Sequence, residues 1–285
     1  MKLRLPVTKL KLFGLMSVMT GVFLGAGLLL GGRSGLIIAL VFAGLTNFAS
    51  YWFSHRIVLR IHGAEEIPEG EMEWLRDAVK EFSDNAGIPE PDLYRSNMRV
   101  PNAFATGRNP EHGVVCFTEP LLKKLDRNEV KGVLAHEMAH IENRDTLTNS
   151  VVATLAGAVA VLADMAFWGA MFSGGEERGN LASAAVMMVL TPLIATLVRS
   201  AVSRTMEFRA DSDAVRIHGE RDGLASGLKK INAASERSRY TGSKVEEASA
   251  SLFIDNPFTG DRLARWFSTH PPLQDRLENI RSTEP

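Results

Sequence analysis

The chain has 285 residues, with Lys+Arg 32 against Asp+Glu 33, so no basic excess supports a nucleic-acid partner. Hydrophobic residues make up 45% of it, enough to bury a sizeable core and to exclude disorder throughout. The single cysteine, Cys116, excludes an intramolecular disulfide framework and a Cys-rich zinc module.

Charge is nearly absent from four stretches and concentrated in the rest. Phe13 to Gly32 and Gly35 to Phe53 hold no residue charged at neutral pH. Each is close to the ~20 residues a helix needs to cross the ~30 Å hydrocarbon layer. The only charge between them is Arg33, in the turn Gly31 to Gly35, so residues 1–54 read as an N-terminal transmembrane hairpin. A cleaved signal peptide would have a shorter apolar run and no second span following at once.

Residues 55–149 read as the first part of a soluble domain. The spacing predicts a helix over Glu71 to Ala86, with Leu75, Val79 and Phe82 on one side and Gly87 as its stop. Strands are expected over Asp92 to Arg99, Asn102 to Gly107 and Gly113 to Thr118. Asp126 and Glu129 form a capping-box variant. The helix it opens runs through Val130, Val133, Leu134, Met138 and Ile141.

That helix carries His136-Glu137-Met138-Ala139-His140. Histidines at i and i+4 lie ~40° apart around a helix and ~6 Å apart along it, so both rings can face one ion. Glu137 is offset by ~60° from His140, which suits a group that works beside a metal without ligating it. Zinc fits such donors: it accepts imidazole nitrogen and carboxylate oxygen and favours four-coordination.

The third and fourth apolar stretches, Val151 to Phe172 and Leu181 to Val198, flank the polar loop Ser173 to Asn180. Residues 150–200 are therefore a second transmembrane or membrane-associated hairpin: full spans, a hairpin packed on the first pair, or partly interfacial helices. Asp164 is the one acid within them, a costly residue in hydrocarbon unless paired. Lys2, Arg4, Lys9 and Lys11, with Arg56, Arg60, Arg199, Arg204 and Arg209, outweigh Arg33 and Arg178 on the opposite side. This bias places both termini and the soluble bulk in the cytoplasm.

Residues 201–285 form the second part of the soluble domain. Glu207 and Asp211 share a helix face at i and i+4. Glu207 suits the third protein ligand that a hydrolytic zinc site needs, and Asp211 suits a hydrogen bond to the far nitrogen of a ligand histidine. By spacing alone, the same face could instead be an ordinary solvated one. If the second hairpin brings its two ends together, His140 and Glu207 meet at similar height above the membrane. Glu236 to Ser251, rich in Ser and Glu, is expected to be a mobile loop. His55, His62, His112 and His218 lack helical ligand partners and read as surface or interfacial; Cys116 reads as a packed apolar residue.

The paired apolar stretches, His-Glu-x-x-His, Ser203-Arg204-x-x-Glu207-x-x-Ala210-Asp211 and Thr269-His270-Pro271-Pro272 together resemble the HtpX-type integral-membrane zinc metalloproteases. These are relatives of the CAAX prenyl proteases and of a mitochondrial inner-membrane quality-control protease. The resemblance implies a mainly α membrane protein with a small β-sheet, its transmembrane helices carrying a cytoplasmic zincin-like α+β metalloprotease domain. It implies one Zn2+ held by His136, His140 and Glu207, with Glu137 as general base. It implies that Asn102, Ala103 and Phe104 belong to a strand lying along the substrate backbone, and that His270 stabilises the oxyanion. Arg276 follows as an ion-pair partner, with Asp211 the candidate; Asn143 and Asp145 match without an assigned role. Phe208 departs from a frequent Tyr. The expected partners are the lipid bilayer and unfolded or membrane polypeptides in envelope quality control, with a homo-oligomer left open. Too few spans enclose an intramembrane chamber for prenylated substrates. The lack of a basic, Ser-rich transit peptide points to a bacterial inner membrane. A catalytically inactive membrane scaffold with a structural zinc site is the competing reading; a di-iron bundle would need a second Glu-x-x-His.

Overall fold

A computed structural model describes residues 5–172, 204–235, 252–254 and 271–285. The fourth apolar stretch, the loop 236–251, His270 and the side chain of Asp164 lie outside the described residues.

Helix α1, Leu5–Ile61, doubles back at Gly32, whose φ of 55° and ψ of −137° break the helical path. Only glycine adopts that backbone without a Cβ penalty. The two arms then run side by side: Asn47 Nδ2 donates to Thr20 Oγ1 at 2.9 Å, and the Phe23 and Phe42 rings meet edge-on at 5.3 Å. Leu12–Leu29 and Gly31–Ile61 are long and apolar enough to cross a membrane, and only 17% of each window is buried. A soluble core helix would be buried on most sides. Here Phe13, Ile38 and Leu45 are 71%, 70% and 65% exposed. Such a surface needs an apolar solvent.

The sheet follows. Strands β1 (Ala64–Glu66), β2 (Asp92–Ser96), β3 (Ala103–Thr106) and β4 (Val114–Thr118) are ordered β1-β2-β4-β3. β2 and β4 are parallel and the other pairs antiparallel, so β3 is an edge strand. The three expected strands are present but shorter than their apolar runs. β1 and the short α3 (Glu119–Lys124) are additional.

Helix α2, Glu73–Ala86, buries Leu75, Val79 and Phe82 and ends at Gly87. α4, Arg127–Glu142, opens on the expected capping box: Glu129 N donates to Asp126 Oδ1 at 3.0 Å, and Asp126 N to Glu129 Oε2 at 2.9 Å. α5 (Asp145–Phe172) starts almost at once, so the third apolar stretch prolongs a helix rooted beside the sheet. Its Val151, Val152, Leu155 and Val159 pack with Leu12, Met19, Phe23 and Ala43 of the hairpin. α6 (Arg204–His218), α7 (Asp222–Ser235) and α8 (Leu273–Ser282) follow. Leu75, Phe117, Leu134 and Met138 share one core with Val215, Leu228 and Ile280. The two sequence pieces on either side of residues 150–203 thus close on a single interior.

One histidine departs from its sequence reading. His62 is buried, with Nδ1 3.0 Å from Met98 Sδ and its ring against Phe104 and Phe253. Its partners are 36 or more residues away along the chain, which no local pattern reveals. Cys116 is buried among apolar side chains, and burial pushes its thiol far up, away from nucleophilic use.

Candidate metal centre

α4 is buried almost throughout, wedged between the sheet and α6–α7. Its i, i+4 periodicity puts His136 and His140 on one face, ring centroids 4.8 Å apart and nearly perpendicular. α6 brings Glu207 to the same point. His140 Nε2 lies 3.5 Å from Glu207 Oε1, and His136 Nε2 lies 3.8 Å from Glu207 Oε2. One ligand atom from each of the three lies within 4.8 Å of the others. Their exposures are 1%, 8% and 1%, so the donors face each other rather than water.

Around this triad stand two carboxylates, each held by an arginine. Asp211, one turn along α6, sets Oδ1 3.1 Å from His136 Nδ1, at an angle short of a full hydrogen bond. Arg276 of α8 grips it with both ends of its fork, Nε to Oδ2 at 2.9 Å and Nη2 to Oδ1 at 2.6 Å. Arg276 also lies 3.6 Å from Glu207 Oε2. Burial alone would raise the Asp211 carboxyl; Arg276, by charge and hydrogen bonds, and His136 hold it below the usual range. On the other side, Asp145 Oδ2 lies 3.4 Å from His140 Nδ1, and Arg209 Nη2 donates to both Asp145 oxygens at 3.0 and 2.7 Å. Arg209, read from sequence as a juxtamembrane charge, is thereby drawn into the site. Asn143 joins α4 to α6 through Asp213 Oδ2 at 2.7 Å.

The electrostatics favour a cation. Glu137, Glu207 and Asp211 are buried together, with Arg276 the buried guanidinium among them. Burial opposes charge on His140, but the Asp145 hydrogen bond and the Glu207 and Glu137 carboxylates outweigh it and push its pKa up to about 9. A site that draws a proton onto a buried imidazole is one that a divalent metal can fill by displacing that proton. Two imidazoles and one carboxylate are also the donor set of a hydrolytic zinc centre. The residues present therefore fit a metal.

Glu137 stands beside the triad, 4% exposed. Burial raises its carboxyl, His136 and His140 oppose the rise, Glu207 adds to it, and the nearby Ala105 backbone opposes it. Ala105 of β3 lines the same pocket, so the edge strand runs beside the acid. Asn102, Ala103 and Phe104 lie along the same edge, but Asn102 and Phe104 turn inward. Asn102 Oδ1 accepts from Ile254 N at 2.9 Å, and Phe104 joins an apolar cluster with Val58 and Leu252. What this strand can offer a ligand is main chain. A pocket opens over the site, lined by the triad, Glu137, Ala105, Asn149, Leu252, Phe253 and Ile254. Asp145 and Asn149 were not assigned from sequence. Asp145 matches the family pattern, and the i, i+4 spacing from it is a signal that reaches Asn149.

Residues 69–284 match the family described as Peptidase family M48. The chain is 43% identical over 270 residues to a protease HtpX homolog of Persephonella marina, covering 93% of this chain and 94% of that protein. It is 42% identical over 279 residues to protease HtpX of Legionella pneumophila subsp. pneumophila, covering 97% and 99%. Among solved structures, that of S. mikatae Ste24p is similar with a TM-score of 0.49 and 18% identity, over 96% of this chain and 65% of that one.

Proposed function

The chain belongs to peptidase family M48 as a membrane-associated metalloprotease, and on that premise we propose that it holds zinc with His136, His140 and Glu207 and cleaves peptide bonds with Glu137 as general base. The observation that carries this reading is the convergence of three buried ligand atoms within 4.8 Å of one another, drawn from helices α4 and α6. When bound, the metal supplies Lewis acidity that polarises the scissile carbonyl and makes water acidic enough to be activated near neutral pH.

The protein's own groups do the rest. Glu137, its pKa raised by burial, takes a proton from the attacking water and hands it to the leaving amine. Asp211 and Asp145 face the far nitrogens of the two imidazoles, and Arg276 and Arg209 hold those carboxylates. The edge of β3 receives an extended polypeptide through main-chain hydrogen bonds, regardless of its sequence. His270, outside the described residues, is proposed as the oxyanion donor on the strength of the Thr-His-Pro-Pro resemblance.

Recognition through main chain suits unfolded or damaged membrane proteins, the substrate class we propose within envelope quality control. The excess of Lys and Arg at the N-terminus and after the second span supports a cytoplasmic catalytic domain at a bacterial inner membrane. The decisive experiment is Glu137→Gln. Zinc content is expected to match the wild type while cleavage of an unfolded substrate falls by a factor of ~10²–10⁴. Retained cleavage rejects the mechanism, and a wild type indifferent to chelator would favour a structural metal.

A further inference from the structure

Five of the nine residues lining the pocket are polar, and four of these, His136, Glu137, His140 and Glu207, are already engaged by the metal chemistry. The fifth is Asn149. It is 7% exposed, and its Oδ1 is buried and accepts no hydrogen bond among the described residues. Buried polar atoms are nearly always satisfied, so an orphaned amide oxygen on a residue that lines a pocket marks a place where something else supplies the donor.

Its position is well fixed. Asn149 lies one helical turn after Asp145 on the same face of α5, and Asp145 is the group that faces His140 Nδ1 at 3.4 Å. The next residue, Ser150, ties this turn to the edge strand through a 2.7 Å bond between its Oγ and Thr106 Oγ1. The remaining pocket wall, from Ala105, Leu252, Phe253 and Ile254, offers apolar side chains. A neutral carboxamide on an otherwise apolar wall suits a neutral hydrogen-bonding ligand such as a peptide unit, and is poorly suited to a free anion.

We propose that Asn149 orients the substrate: its Oδ1 accepts a main-chain N–H of the polypeptide next to the scissile bond while the substrate lies along β3. This rests on the proteolytic reading above and adds a substrate contact to it.

The test uses the full chain, zinc-loaded, in detergent or nanodiscs. The substrates are a quenched fluorescent peptide and a series in which each amide but the scissile one is replaced in turn by an ester, deleting a single N–H. Besides any losses where β3 bonds the substrate, the wild type is expected to lose kcat/KM roughly three- to tenfold at the ester position whose N–H Asn149 accepts, the worth of one neutral hydrogen bond. Asn149→Leu is expected to show that loss already on the all-amide peptide and no further loss on that ester. Because the substitution removes an unsatisfied buried amide, the variant should bind zinc as the wild type does and melt no lower. A variant that cleaves like the wild type, or keeps the wild type's ester sensitivity, overturns the proposal. So does one that melts well below it, which would make Asn149 structural. If Asn149→Leu does not fold, Asn149→Ala is read in the same way. Absence of wild-type cleavage overturns the proteolytic reading and this proposal with it, whereas wild-type cleavage with an unaffected variant overturns this proposal alone.

Discussion

Asp211 stands between His136 and Arg276, 3.1 Å from the imidazole Nδ1 and bonded by both ends of the guanidinium fork. The carboxylate cannot swing away from the ring without abandoning a buried arginine. Asp211→Ala is therefore expected to lower zinc affinity by a factor of ~10–100, read by competition with a chelating dye. Asp145→Ala should do the same through His140. Unchanged affinity in both would mean that the two aspartates serve only the fold.

Removing the metal leaves Glu207, Glu137 and Asp211 buried together with less compensation. Chelation is expected to lower the Tm, and added zinc to restore it. A ligand present at a hundredfold excess over its Kd stabilises by about 2.7 kcal/mol. A Tm indifferent to chelator would detach the metal from the stability of the α4–α6 contact.

Gly132 lets α4 meet the start of α7 backbone to backbone: a Cβ there would collide with the main chain of Gly223 and Leu224. Ala is the better helix former by ~1 kcal/mol, but here it must push main chain rather than a flexible side chain. Gly132→Ala is expected to destabilise by about 1–3 kcal/mol, measured by thermal or denaturant unfolding. An unchanged midpoint would show that α7 can slide at little cost.

His218 links α6 to α2, its ring edge-on to Phe82 at 5.2 Å. Burial lowers its pKa, with Glu220 opposing and Lys131 adding to the fall. The unfolded chain therefore takes up this proton first. The stabilisation is complete above the unfolded value of ~6.5 and is lost as pH falls below it toward the folded value. His218→Phe keeps the packing and lacks this proton. The Tm of the wild type should fall relative to the variant as pH drops below ~6.5, and parallel curves would discount the effect.

Features that depend on neighbours in sequence were readable without coordinates. The Asp126–Glu129 cap, the paired histidines and the apolar arms broken at Gly32 all lie within a few turns of one another. Glu207 is reachable through its i, i+4 relation to Asp211 and through the expectation that a second hairpin, if formed, brings His140 and Glu207 to similar height. β1 was not legible, since three residues with little burial carry no alternation. Nor was the Asp145–Arg209 pair, which spans 64 residues, or the burial of His62, whose partners come from three separate segments. Such contacts arise only once the core has closed.

Helix α5 carries Asp145 against His140, Asn149 at the pocket and, within the next ten residues, the side chains that lock onto the apolar arms. Cutting centre and anchor are thus successive turns of one rod, with no hinge between them. From Asn149 to Leu155 the rise is only ~9 Å. Whatever holds the apolar arms consequently holds the pocket at a set distance from them, like a blade bolted to its bench.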